Sequence, residues 1–150
     1  MKKSAILKWI NFWPPFLGAG IRVKKMSEDM RRIEVEMKLR FWNKNYVGTH
    51  YGGSLYSMAD PFFMLMLLEN LGKDYIVWDK AATIRFENPG RGRVHAIFEL
   101  SQQEIDTLRS RVHQEGKIEP QFTVQIKDDA NQIIAIVEKT LYIRKKETKK

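Results

Sequence analysis

The stretch from Ser54 to Leu71 limits the fold of this 150-residue chain more than any other. Its apolar residues, among them Leu55, Met58, Ala59, Phe62, Phe63, Met66 and Leu67, cover nearly the whole circumference of a helix. A helix with no wet face must be surrounded by protein. At about 1.5 Å per residue it would run roughly 27 Å, the width of a small sheet. Gly72 supplies a C-terminal stop.

The flanking segments have a period of two. In Arg32–Phe41 the side chains of Ile33, Val35, Met37, Leu39 and Phe41 face one way, and Glu34, Glu36, Lys38 and Arg40 face the other. That is the pattern of a strand with one wet face in an antiparallel sheet. Ile21 and Val23 alternate with Arg22 and Lys24 in the same manner. Downstream, Tyr75–Phe86, Arg93–Leu100, the run containing Phe122, Val124 and Ile126, and Gln132–Arg144 read as strands. Pro89-Gly90 and Asp128–Asn131 supply turns, and Gln102–Gln114 reads as a polar helix. At the start, Ser4 caps a short helix running to Phe12, with Ile6, Trp9, Ile10 and Trp13 on one face, and Pro14-Pro15 ends it. This face suits either an amphipathic anchor lying on a membrane or packing on the domain, and packing is the commoner outcome for so short a helix. The expectation is an α+β fold: about six antiparallel strands wrapped around one buried helix. Residues 1–150 form a single domain, with an N-terminal helix and linker over 1–19 and a basic tail over 144–150.

Composition narrows the chemistry. The absence of Cys excludes disulfides, thiolate metal sites and a Cys nucleophile. His50, His95 and His113 are scattered without ligand spacing, so neither a metal nor any other cofactor is expected. Lys and Arg number 26 against 18 Asp and Glu, and half of the +8 excess falls in the tail. With the cations concentrated there and no aromatic–basic motif, nucleic acid is not an expected partner. The longest unbroken apolar run, Pro61–Leu68, is too short to span a bilayer, and Lys8 and Asn11 interrupt the only leader-like segment. A cytoplasmic protein is expected.

Chemistry concentrates between Asn45 and Asp60. Gly52-Gly53 lets the backbone approach a ligand, and its N–H groups open a helix, where partial positive charge favours a developing oxyanion. Asp60 lies in a segment too apolar for an unpaired charge, so it faces a cavity, a partner or an interface. Asp60-Pro61 also reads locally as a helix N-cap followed by proline at the first helical position. On that reading Asp60 is structural. If the helix instead begins near Ser54, Pro61 leaves the Ser57 carbonyl unpaired.

This stretch resembles the active-site loop and central helix of hotdog-fold acyl-CoA thioesterases of the phenylacetate-pathway type. Asn45, Gly48, Gly52, Gly53 and Asp60 match that motif in type and spacing. The motif's His falls at Tyr51, with His50 adjacent. The segments Trp13–Phe16, Asp60–Phe63 and Trp78–Ala82 resemble a bacterial branch of the same superfamily. The resemblance implies a hotdog fold and hydrolysis of an acyl-CoA or acyl-carrier thioester. The Gly52 N–H would polarise the carbonyl, Asp60 would act as general base or nucleophile, and Asn45 would position water or substrate. His50, Tyr51, Gly53, Asp79 and Lys80 are the further candidates for substrate contact. It also implies a homodimer, or a dimer of dimers, with each site shared between two chains. The alternative is a non-catalytic acyl-CoA or fatty-acyl binding protein of the same fold, which the Tyr51 departure motivates.

Overall fold

The computed structural model describes Ala5 and residues 9–148. After a helical segment that includes Trp9 and Ile10, the elements run α1 (Pro14–Ala19), β1 (Ile21–Met26), β2 (Arg32–Lys38), α2 (Gly52–Ser57), α3 (Phe62–Leu71), β3 (Tyr75–Phe86), β4 (Arg93–Glu99), α4 (Gln102–Glu115), β5 (Lys117–Ile118), β6 (Gln121–Asp128) and β7 (Ile133–Lys145). The strands form one antiparallel sheet ordered β1-β2-β4-β6-β7-β3, with the two-residue β5 added to β7. The fold is the expected α+β hotdog arrangement, with a seventh short strand.

The alternation seen in the sequence decides which face is inward. Ile33, Val35 and Met37 of β2, Val94, Ala96 and Phe98 of β4, and Val137, Leu141 and Ile143 of β7 are all buried. They close on Phe62, Phe63, Met66 and Leu67 of α3, and the Phe62 and Phe98 rings lie 4.9 Å apart. The sheet therefore curves around the helix. Leu68 keeps 37% of its surface exposed, so one stripe of that helix is not covered by its own chain.

Two expectations need correction. The long helix over Ser54–Leu71 is broken between α2 and α3, across Met58 to Pro61. Proline has no N–H and its ring crowds the carbonyl four residues earlier. That carbonyl, on Ser57, takes a 3.4 Å bond from the Asp60 N–H instead. Pro61 itself caps α3, so Asp60 is not the cap, and no side chain fills that role. At the other end, Pro14 and Pro15 begin a helix rather than only ending one, as proline in a first turn can. The cap assigned to Ser4 and the face position of Ile6 lie outside the described residues.

The first edge strand is closed by a side chain. Asn11 Nδ2 donates to the Val23 carbonyl (3.1 Å) and Asn11 Oδ1 accepts from the Val23 N–H (2.8 Å). The two groups are thereby removed from an open edge. Of the expected tail, Arg144 and Lys145 belong to β7, and the Lys146 N–H donates to Asp74 O at 2.7 Å.

Candidate active site

The break between α2 and α3 opens directly onto β7. Along that strand Val137, Lys139, Leu141 and Ile143 point inward, so alternation places a lysine in the core. The Lys139 side chain has no exposed surface. Its ammonium donates to Asp60 Oδ1 at 2.8 Å and to the Asp60 main-chain oxygen at 2.9 Å. The Tyr56 oxygen lies 3.3 Å from it, and the Tyr56 hydroxyl donates to Asp60 Oδ1 at 3.1 Å. Asp79 Oδ1, from β3, stands 2.9 Å from the same nitrogen, an ion pair whose angle falls outside hydrogen-bonding geometry. The cluster thus joins three elements and carries two carboxylates to one ammonium.

Burial alone would pull the Lys139 ammonium down in pKa. The Asp60 carboxylate, then that of Asp79, more than offsets this and holds it above the usual lysine value. Burial, with the neighbouring Asp60 charge, pushes the Tyr56 hydroxyl up despite the opposing pull of Lys139. With Oδ1 of Asp60 engaged by Tyr56 and Lys139, Oδ2 has no partner among the described residues. The side chain remains 48% exposed. Tyr56 and Asp79 line an open groove of about 480 Å³ together with Lys80, Ala81, Ala82 and Ile84.

The remaining sequence candidates gather elsewhere. Asn45, His50 and Gly52 line a second cleft of about 290 Å³ with Leu55, Phe86, Asn88 and Gly90. Asn45 spends its side chain on the loop. Oδ1 accepts from the Val47 and Thr49 N–H groups, and Nδ2 donates to Thr49 Oγ1 at 2.8 Å. His50 is 4% exposed. Its Nε2 lies 2.7 Å from the Gly92 carbonyl, which requires a proton there, while Nδ1 has no partner among the described residues. Burial pushes its pKa below the ordinary histidine value, against the opposing effect of that carbonyl.

Gly52 and Gly53 open α2, and their N–H groups donate to no acceptor among the described residues. The Phe86 ring covers Gly52, where an added Cβ would meet it at 3.0 Å, and the Tyr51 ring covers Gly53. Lys80 pairs with Glu119 on the surface. The structure therefore brings Asp60 and Asp79 together, and separately Asn45, His50 and Gly52. Lys139 and Tyr56 are the members that sequence reasoning passed over. The signal for Lys139 was its place in the apolar phase of β7, between Val137 and Leu141. Among the described residues no group of three His, Asp or Glu is placed to hold a metal ion.

Similarity to known proteins covers nearly the whole chain. A protein of unknown function from Pseudomonas aeruginosa, called a probable thioesterase, superposes with a TM-score of 0.84 at 19% identity, covering 97% of each chain. A thioesterase from Haemophilus influenzae gives 0.67 at 16% identity, over 93% of this chain and 88% of its own. A protein of unknown function from Chlorobaculum tepidum gives 0.74 at 17%, over 95% and 94%. At these identities the likeness concerns the fold. No curated protein matches the sequence. Residues 3–143 match the family described as "Domain of unknown function (DUF4442)", and the chain belongs to that family.

Proposed function

We propose that the protein hydrolyses an acyl thioester carried on CoA or on an acyl-carrier protein, in a site shared by two copies of the chain. The observation that carries this reading is the state of Asp60: one carboxylate oxygen is anchored by Lys139 and Tyr56, and the other has no partner among the described residues, on a side chain that is half-exposed. A carboxylate held in this way is oriented without being consumed, as a general base requires.

Oδ2 of Asp60 would take a proton from water as the water oxygen bonds to the thioester carbon. The carbonyl oxygen becomes an oxyanion, received by the free N–H of Gly52. Collapse expels the thiolate, which takes up a proton, and leaves the acid. The Gly52 N–H opens α2, which runs about 9 Å at 1.5 Å per residue, and Asp60 lies three residues beyond its other end. First-turn N–H groups point back along the axis, away from Asp60. One chain therefore does not present both groups to one carbonyl, and a homodimer, or a dimer of dimers, supplies the second half. Asn45 acts as the brace of the loop that carries Gly52. His50 and Asn45 border the cleft at Gly52, and Tyr51 and Gly53 flank Gly52 in the chain. Asp79 is a counter-charge to Lys139, and Lys80 borders the groove.

Hydrolysis of a panel of acyl-CoA and acyl-carrier thioesters, followed by free thiol release, tests the reading. Asp60→Asn should lower kcat by about 10²- to 10⁴-fold. In ¹⁸O-water, the label should enter the product acid and not Asp60, which separates base from nucleophile. A tightly bound thioester that stays intact over the time course would instead establish the non-catalytic acyl-binding reading.

A further inference from the structure

We propose that the end of the molecule formed by residues 9–17 and the loop after β2 docks on the surface of an anionic lipid bilayer. Trp9, Phe12, Trp13 and Leu17 are 70%, 69%, 47% and 54% exposed, and Phe41 and Trp42 are 82% and 52% exposed. Two asparagines bring these residues to one region. Asn11 is bonded to Val23 of β1, and Asn43 Nδ2 donates to Ala19 O at the end of α1 and to Lys38 O at the end of β2. Phe16 shows why α1 has a bare side: its ring is buried against Phe62, and Trp13 and Leu17 flank it outward. An exposed aromatic patch of this kind marks a surface that something covers.

Charge identifies the occupant. Residues 1–27 contain six Lys and Arg, and residues 37–59 contain three, with no Asp or Glu in either segment. These two segments together carry +9, whereas the +4 of residues 144–150 is offset by an acidic excess in the rest of the chain. Arg22, Lys24, Lys25, Lys38, Arg40 and Lys44 are exposed, and none has an ion-pair partner among the described residues. Glu34 and Glu36, which face Lys25 and Arg22 across the β1–β2 register, are paired with Arg32 and Arg93. A second copy meeting this surface about a two-fold axis would set these cations against themselves. A bilayer supplies anionic headgroups for the cations and an interfacial zone that favours Trp and Phe. No helix among the described residues is long and apolar enough to cross a membrane, so the contact lies on the surface.

The test mixes the full chain with phosphatidylcholine vesicles, with and without phosphatidylserine. Cosedimentation should occur with the anionic vesicles, weaken about tenfold on neutral ones and fall with added salt. Tryptophan emission should shift to the blue on binding. The triple variant F12S/L17S/F41S should bind about tenfold more weakly. Removal of residues 146–150 should leave binding in place. If the triple variant does not fold, R22E/K24E provides a second arm and should also weaken binding.

Absence of binding to anionic vesicles overturns the proposal. So does binding lost with residues 146–150 but unaffected by the surface variants. A wild-type oligomer that the triple variant dissociates would assign the surface to a second copy. An oligonucleotide that displaces the vesicles, and whose own binding the triple variant abolishes, would assign it to nucleic acid. The outcome does not depend on thioester turnover.

Discussion

Lys139, wholly buried, donates both to the carboxylate and to the main-chain oxygen of Asp60, at 2.8 and 2.9 Å. One side chain thus fixes both the orientation of an acid and the position of the chain that carries it. The ammonium is surrounded by acceptors, which is the condition for leaving a charge inside a protein.

Replacing that lysine tests how much the arrangement contributes. Lys139→Met keeps the length of the side chain and removes the charge. Asp60 is half-exposed and can be rehydrated, whereas Asp79 Oδ1 is buried and loses its counter-charge. The expected cost is about 2–4 kcal/mol, read from urea unfolding. Adding Asp79→Leu should recover part of it, because the uncompensated buried oxygen is then gone. A double variant less stable than Lys139→Met would contradict that account.

His50 should make folding stability depend on pH near neutrality. Its folded-state pKa is lowered by burial, so below the unfolded value of about 6.5 the unfolded chain binds a proton that the folded chain does not. Stability should be fully present above that pH and decline as pH falls from about 7 towards 5. His50→Gln keeps a donor for Gly92 O and cannot titrate. It should flatten the slope across that window in chemical unfolding, whatever its effect at pH 7.5.

Two glycines that look alike in sequence should respond differently to alanine. A Cβ on Gly90 would meet the buried His50 ring at 3.0 Å and Ile134 at 3.2 Å, and neither can withdraw freely. Gly90→Ala should cost about 1–3 kcal/mol. A Cβ on Gly53 would approach the Tyr51 ring more closely still, at 2.6 Å, but Tyr51 is 58% exposed and can swing aside. Gly53→Ala should therefore be the milder change in a thermal melt, and the opposite ranking would refute the argument.

Much of the fold was legible because strand alternation is a local signal. Ile33, Val35 and Met37 announced the inner face of β2, and the inward series on β4 did the same. The broken helix was less legible. Apolar periodicity runs through residues 54–71 without interruption, and only Pro61 spoke against continuity. The outcome depended on where the displaced carbonyls could find donors. The site was legible in halves. Asp60 and the paired glycines stood out in sequence, but Lys139 lies 79 residues beyond Asp60, and no local pattern links the two. Asp79 could be placed on its strand, yet its partner was knowable only once β3 and β7 were seen side by side.

The interruption at Pro61 and the interior lysine meet at one atom, the main-chain oxygen of Asp60. In an unbroken helix the Asp60 oxygen would accept the N–H of Met64 and keep its second lone pair for the ammonium. Conversely, without the amine that oxygen would be stranded at the kink. Straightening the rod by Pro61→Ala alone would add a second donor to that oxygen, which has two lone pairs to receive both. Exchange of the lysine, rather than of the proline, is therefore the change that leaves this oxygen without its donor.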